Sequence, residues 1–261
     1  MNFRAVKASF KQQFIQFTAD PQWIIPSIIA PFLFTAVMLM MYPEKSDTFV
    51  LQATLGGGVL GMWGNTLFAS SFTLSYDRTN GTLENLLMSP TELYDVMIGR
   101  SLWNTAIGLL NMLLVYIFAE LVFLTPVTFA DPLAFIVILL ITLLSLGSVG
   151  MIFAVAFVFS RRSYLLTGIF EYPIYILSGA VVPISMLPGW TNCISYALAP
   201  AWGVEALRAS AISGYTTVFG LGMWGNAAVC VLISALYLII SWVAMRRIVS
   251  NVTETGSFTG Y

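Results

Sequence analysis

Hydrophobic residues recur in two patterns along the chain. Over residues 2–18 they fall three and four apart, as Phe3, Val6, Phe10, Phe14 and Phe17, which predicts an amphipathic helix. Arg4, Lys7 and Lys11 flank that stripe, a composition suited to the headgroup boundary of an anionic leaflet. Asp20-Pro21 ends it. Beyond this point the apolar runs become continuous, each close to the ~20 residues a bilayer requires. They predict spans at about 23–42, 51–76, 100–124, 133–159, 165–182 and 221–245, the first bent by Pro26 and Pro31.

The longest polar interruption in the first half is residues 77–90, DRTNGTLENLLMSP. Leu83, Leu86 and Leu87 share one face if this stretch is helical. Gly81 suits a hinge or a helix start. Ser89-Pro90-Thr91-Glu92 predicts a fresh start, with Ser as cap, Pro in the first position and Glu three residues after the Ser. A short helix with a greasy face then precedes the third span, and such a face on a polar loop needs a protein groove to fill.

Composition sets the class. Only 9% of residues are charged against 58% hydrophobic, with a mean hydropathy of +0.86, so this is a polytopic membrane protein. The net charge of −1 gives no reason to expect nucleic acid. The chain has no histidine, which removes His-based triads, HExxH zinc sites and His-ligated haem. Cys193 and Cys230 are far apart and predict no disulfide. No cleavable signal peptide is visible. Arg4, Lys7, Lys11, Arg78, Arg100, Arg161, Arg162, Arg246 and Arg247 fall on one side if both termini share it, and only Lys45 and Arg208 on the other. The positive-inside rule then makes both termini cytoplasmic, with the loops at 77–99 and 160–163. The Asn251-Val252-Thr253 sequon carries no meaning in such a tail.

Inside the spans the polar and small residues stand out. Gly57 and Gly61 form a small-xxx-small pair in the second span, read as close helix packing rather than a nucleotide fingerprint. Asn65, Ser70, Ser71, Thr73 and Ser75 lie below it and either bond to neighbouring helices or line a pathway. Gly147 and Gly150 mark a second packing face. Glu171 sits in the fifth span, where a carboxylate is costly. A transport role, a structural pair with an arginine (Arg161-Arg162 lie about two turns away) or a hydrogen bond to a tyrosine accounts for it. Residues 183–220 are too apolar for a water-exposed loop and too short for two further spans. They predict two short helices dipping into the outer leaflet, the second opened by Pro200 and carrying Glu205 and Arg208 three apart.

Together these features resemble the membrane subunit of ABC-2 type exporters: the N-terminal amphipathic helix, six spans, the GTLENLLMSP loop and a hairpin holding PAWGVEALR before the last span. The resemblance covers essentially the whole chain. It implies an all-α membrane protein with six transmembrane helices, an interface helix over 1–21, a transmembrane domain over 22–250 and a cytoplasmic tail over 251–261. Within that domain it implies a coupling helix at about 79–88 and re-entrant helices at about 184–213. Gly81, Thr82, Leu83, Glu84, Leu86 and Leu87 would contact an ATPase subunit. The interface helix, with Arg4, Lys7, Phe10, Lys11 and Phe14, would also touch it. Glu205 and Arg208 would belong to the helices that close the pathway.

The implied assembly has two ATP-binding cassette subunits, which carry ATP and Mg2+, and a second copy or paralogue of this chain in the lipid of the plasma membrane. The chain itself binds no cofactor or metal and is no enzyme, since it lacks any GxxxxGK[ST] phosphate loop. Trp63, Phe68, Phe72, Phe170 and Tyr172, with Asn65 and Glu171, are candidate pathway residues for an amphipathic or hydrophobic cargo such as a drug, antibiotic, lipid or glycoconjugate. The small residues of the second span, with the fifth span, would form the dimer contact. The alternative is an ATPase-independent secondary transporter or channel, for which Glu171 is the main candidate charge.

Overall fold

Lipid offers no partner for a free peptide N–H or C=O, so apolar runs in a membrane fold as helices. The computed structural model describes residues 2–19, 21–41, 47–123, 129–157, 163–181 and 183–255, and among these it is all-helical. The helices are α1 (Phe3–Ala19), α2 (Pro21–Met41), α3 (Asp47–Trp63), α4 (Ala69–Thr79), α5 (Leu83–Leu87) and α6 (Leu93–Phe123). They continue with α7 (Pro132–Phe157), α8 (Ser163–Leu177), α9 (Asn192–Ala197), α10 (Ala199–Ala211) and α11 (Gly222–Thr255). A single π-helical turn, Gly64–Phe68, joins α3 to α4, and two 3-10 turns precede α9. Among the described residues, three helical segments are long and apolar enough to cross a bilayer by themselves: Leu93–Val122, Pro132–Ala156 and Gly222–Asn251. Ile28–Met40 and Gly168–Leu177 are shorter apolar helices. Lys45, Arg161 and Arg162 lie outside the described residues.

α7 is the central post, packed on α4, α10 and α11. Its start is fixed locally: the Asp131 carboxylate accepts the Ala134 N–H at 3.0 Å, and Pro132 occupies the first helical position. Its glycines admit close neighbours. A side chain at Gly150 would strike the Leu67 carbonyl and Ser70, and one at Gly147 would press on Ser101. One apolar core lies among α3, α6, α7, α10 and α11, around Met62, Leu67, Leu143 and Leu207. A second lies at the α5 end, where Leu83 meets Leu74, Leu93, Met97, Met151 and Met245. α11 is 34 residues long, so at ~1.5 Å per residue it outreaches a bilayer core of ~30 Å and joins both ends of the bundle.

Several expectations are corrected here. Gly57 and Gly61 do pack closely, but within the chain: Gly57 faces Thr35 and Pro31 of α2, and Gly61 faces Pro31 and Asn111. Those glycines are therefore not open to a second copy. α6 begins at Leu93, not at Pro90. The Ser89 hydroxyl turns back to donate to the Leu86 carbonyl at 2.8 Å, closing the previous turn instead of capping the next. Glu92 meets Arg246 at 2.9 Å rather than completing a capping box.

Candidate coupling and pathway sites

The knob between α4 and α6 is built inside out. The Asp77 carbonyl accepts the Thr82 N–H at 2.8 Å, and Gly81 takes a positive φ of 69°, which bends the chain into α5. Leu83 is only 4% exposed, and Leu86 and Leu87 are half-buried against the same core. The greasy face expected to meet a partner is instead the knob's root. What it presents outward is Glu84, Asn85 and Met88, the last 85% exposed. As a contact residue Leu83 is thus corrected, because a side chain enclosed by its own fold has no surface left to offer.

Beneath the knob lies a buried ion pair that sequence reading did not single out. Arg100 on α6 donates through both terminal nitrogens to the Asp77 carboxylate, with Nη2 to Oδ1 at 3.3 Å. Nη2 also reaches Gln12 Oε1 of α1 at 3.3 Å. The Thr82 hydroxyl donates to Asp77 Oδ1 at 3.3 Å. A second polar layer runs from Gln13 Nε2 to Asn104 Oδ1 at 3.4 Å and from Asn104 Nδ2 to Ser70 Oγ at 3.2 Å. The Asn2 N–H donates to Asp95 Oδ2 at 2.7 Å. α1, α4, α5 and α6 are therefore wired together by matched donors and acceptors. Asp77 lies two residues before the end of α4 and Arg100 seven residues into α6, so opposite charges near the facing ends of two consecutive helices were the available signal.

α1 also packs on α6 more than a headgroup-lying helix would. Phe10, Phe14 and Phe17 surround Trp103 edge-on, at centroid distances of 5.3, 4.9 and 6.4 Å. Gly99 makes the approach possible, since a side chain there would strike the Val6 carbonyl and Ser9. Phe3, Ile15, Arg4, Lys7 and Lys11 remain exposed, so the stripe is shared between a neighbouring helix and the surroundings.

The polar row of the second long stretch is mostly internal. Asn65 donates to the Gly61 carbonyl at 3.0 Å, Ser71 to Leu67 at 2.6 Å and Thr73 to Ala69 at 2.8 Å. Trp63 is buried edge-on against Tyr175, with ring centroids 5.2 Å apart. The side chains of Phe68 and Phe72 lie outside the described residues. Glu171 is half-buried on α8, beside exposed Ile169, Phe170 and Tyr172, and has no hydrogen bond or ion pair among the described residues.

At the opposite end α10 is buried along almost its whole length. Gly203 rests on Thr142 of α7 and Cys230 of α11. Thr142 lies ten residues into its helix and Cys230 eight into its own, so Gly203, in the first half of α10, sits some ~12–15 Å below the rim. Ala130 and Asp131 bond back to Ala211 and Ser210 at 3.0 Å, where α10 returns to that rim. Cys193 is exposed, and both cysteines are free thiols. Glu205 accepts the Tyr215 hydroxyl at 3.1 Å and the Val218 N–H at 3.0 Å. Burial first, and the Glu205 charge second, push the Tyr215 hydroxyl up to about 12, so it stays a donor. Arg208 approaches Glu205 only to 3.5 Å.

With both ends described, the comparison with protein families is decisive: the model of the ABC-2 type transporter matches residues 4–212. The chain belongs to the ABC-2 type transporter family. The match runs from α1 through α10 and stops short of α11. A search of curated proteins found no match. As an ABC-2 type chain it is a membrane transport component and not itself a catalyst. Among the described residues no group of His, Cys, Asp or Glu could hold a metal ion.

Proposed function

We propose that this ABC-2 type protein is the permease subunit of an ATP-driven exporter, moving an amphipathic or hydrophobic cargo out of the cytoplasm. It spans the plasma membrane six times with both termini inside. Two ATP-binding cassette subunits dock on the α5 end, and hydrolysis of their Mg2+-bound ATP supplies the force. The observation that carries this reading is the outward set Glu84, Asn85 and Met88 on a rigid leucine root. A push on that set passes through Leu83 to α4, and through Asp77 and Arg100 to α6 and α1. The cation distribution supports placing this end in the cytoplasm. The second copy or paralogue would face α8, whose Ile169, Tyr172 and Ile176 are exposed, and Gly64, which has open space beside it.

Co-purification tests the reading. Paired Glu84→Lys and Met88→Asp changes touch only outward groups, so the expected result is a folded chain that loses its ATPase partner and its transport. Undiminished partner retention and transport would remove α5 as the docking element. A secondary-transport cycle would instead depend on Glu171, and transport by the isolated chain in vesicles without nucleotide, abolished by Glu171→Gln, would establish it.

A further inference from the structure

Among the described residues, a cluster of unmatched polar groups surrounds Arg208. Glu205 is already served by Tyr215 and Val218, and Arg208 Nη1 stands 3.5 Å from its carboxylate without forming a hydrogen bond. Arg208 is 4% exposed, yet its Nε and Nη1 have no acceptor. Against the guanidinium lies the turn that follows α8. Gly179 has a positive φ of 78° there, and a Cβ on it would stand 3.4 Å from Nη1 and collide with Ile184. Tyr175, one helical turn earlier, lies within electrostatic reach of Arg208 and donates only loosely to the Gly56 carbonyl, at 3.5 Å. Trp63 packs on Tyr175, and its indole N–H is buried with no acceptor either.

Every unmatched atom in this set is a donor. Leaving a buried donor unsatisfied costs about 1–3 kcal/mol, and more when it is charged. A cation or a neutral donor would make the mismatch worse, whereas a carboxylate or phosphate supplies both acceptors and the missing negative charge. Over Arg208 lies the turn at Gly179, carried by α8, which packs only lightly on the bundle and leaves one side exposed.

We propose that Arg208, with Tyr175 and Trp63, forms an anion-binding subsite between α3, α8 and α10. It takes the carboxylate or phosphate headgroup of an amphipathic cargo. The term cargo rests on the transport reading above, but the binding does not. The test uses the full chain in nanodiscs with no ATPase present, so its failure leaves the docking experiment untouched. Hexadecyl phosphate is compared with hexadecanol, and hexadecanoate with its methyl ester, by quenching of tryptophan fluorescence. The charged probes are expected to bind at least about tenfold more tightly than their neutral partners, the factor that one or two charge-assisted hydrogen bonds supply. Arg208→Gln should erase that difference without changing binding of the neutral probes. Arg208→Lys should keep part of it, since it retains the charge but not the forked geometry. If only the phosphate or only the carboxylate shows the preference, that result names the headgroup. Equal binding of charged and neutral probes by the unaltered chain, no binding at all, or an undiminished preference in Arg208→Gln would overturn the proposal.

Discussion

Asp77–Arg100 and Glu205–Arg208 are both oppositely charged pairs enclosed at opposite ends of one bundle, and they are satisfied in different ways. Arg100 grips its carboxylate with two nitrogens and holds α1 through Gln12. Arg208 stands at 3.5 Å from a carboxylate that other donors already serve. The first arrangement stabilises one geometry, because any displacement strands a charge. The second leaves binding capacity unused in the resting shape. An end that must transmit force has reason to hold its carboxylate in a two-nitrogen grip, and an end that must accept a passing group has reason not to.

The sharpest way to break this contrast is to remove one partner from each pair. Arg100→Met is expected to cost about 3–5 kcal/mol, since it leaves Asp77 buried without its counter-charge. Asp77→Leu combined with Arg100→Met should recover most of that loss in the unfolding midpoint. Gly99→Leu should cost about 1–3 kcal/mol by forcing α1 off α6, with faster proteolysis of the N-terminal helix as a second readout. Arg208→Met should cost less than Arg100→Met, within about 1–2 kcal/mol, because Glu205 retains the Tyr215 and Val218 donors. If Arg208→Met proves the more damaging change, the contrast is wrong.

A smaller effect is expected from pH. The folded chain holds the Tyr215 proton up to about 12 against an ordinary value of 10.0. This contribution is complete below pH 10 and is lost as the pH climbs towards 12. Tyr215→Phe should flatten that alkaline fall in melting temperature. Smallest of all, Arg246→Ala should change stability by no more than about 1 kcal/mol, since both members of the Glu92–Arg246 bridge are more than half exposed.

The helices were legible because a bilayer demands length and apolarity, and prolines mark their ends. Pro200 at the opening of α10 is the clearest case. Which face of each helix meets which neighbour was not legible. Gly57 reads equally well as a contact for another chain or for α2, since a missing side chain names no partner. Leu83 misled for a related reason: an apolar face on a polar loop says that something covers it, not whether the cover is foreign. The extent of α10's burial went unseen because Glu205 and Arg208 signal water in a sequence, whereas here they are enclosed by Tyr215 and the turn at Gly179.

The wide turn at Gly64–Phe68 means that residues 47–79 cannot be drawn on one helical wheel. Ala69 bonds back five residues to Gly64, so everything after it is rotated by about 100° from where a regular rod would place it. A variant shortened by one amino acid in this segment would keep its hydropathy profile almost unchanged. It would nevertheless aim the far half of the rod, and the protrusion hanging from it, roughly a quarter revolution off target.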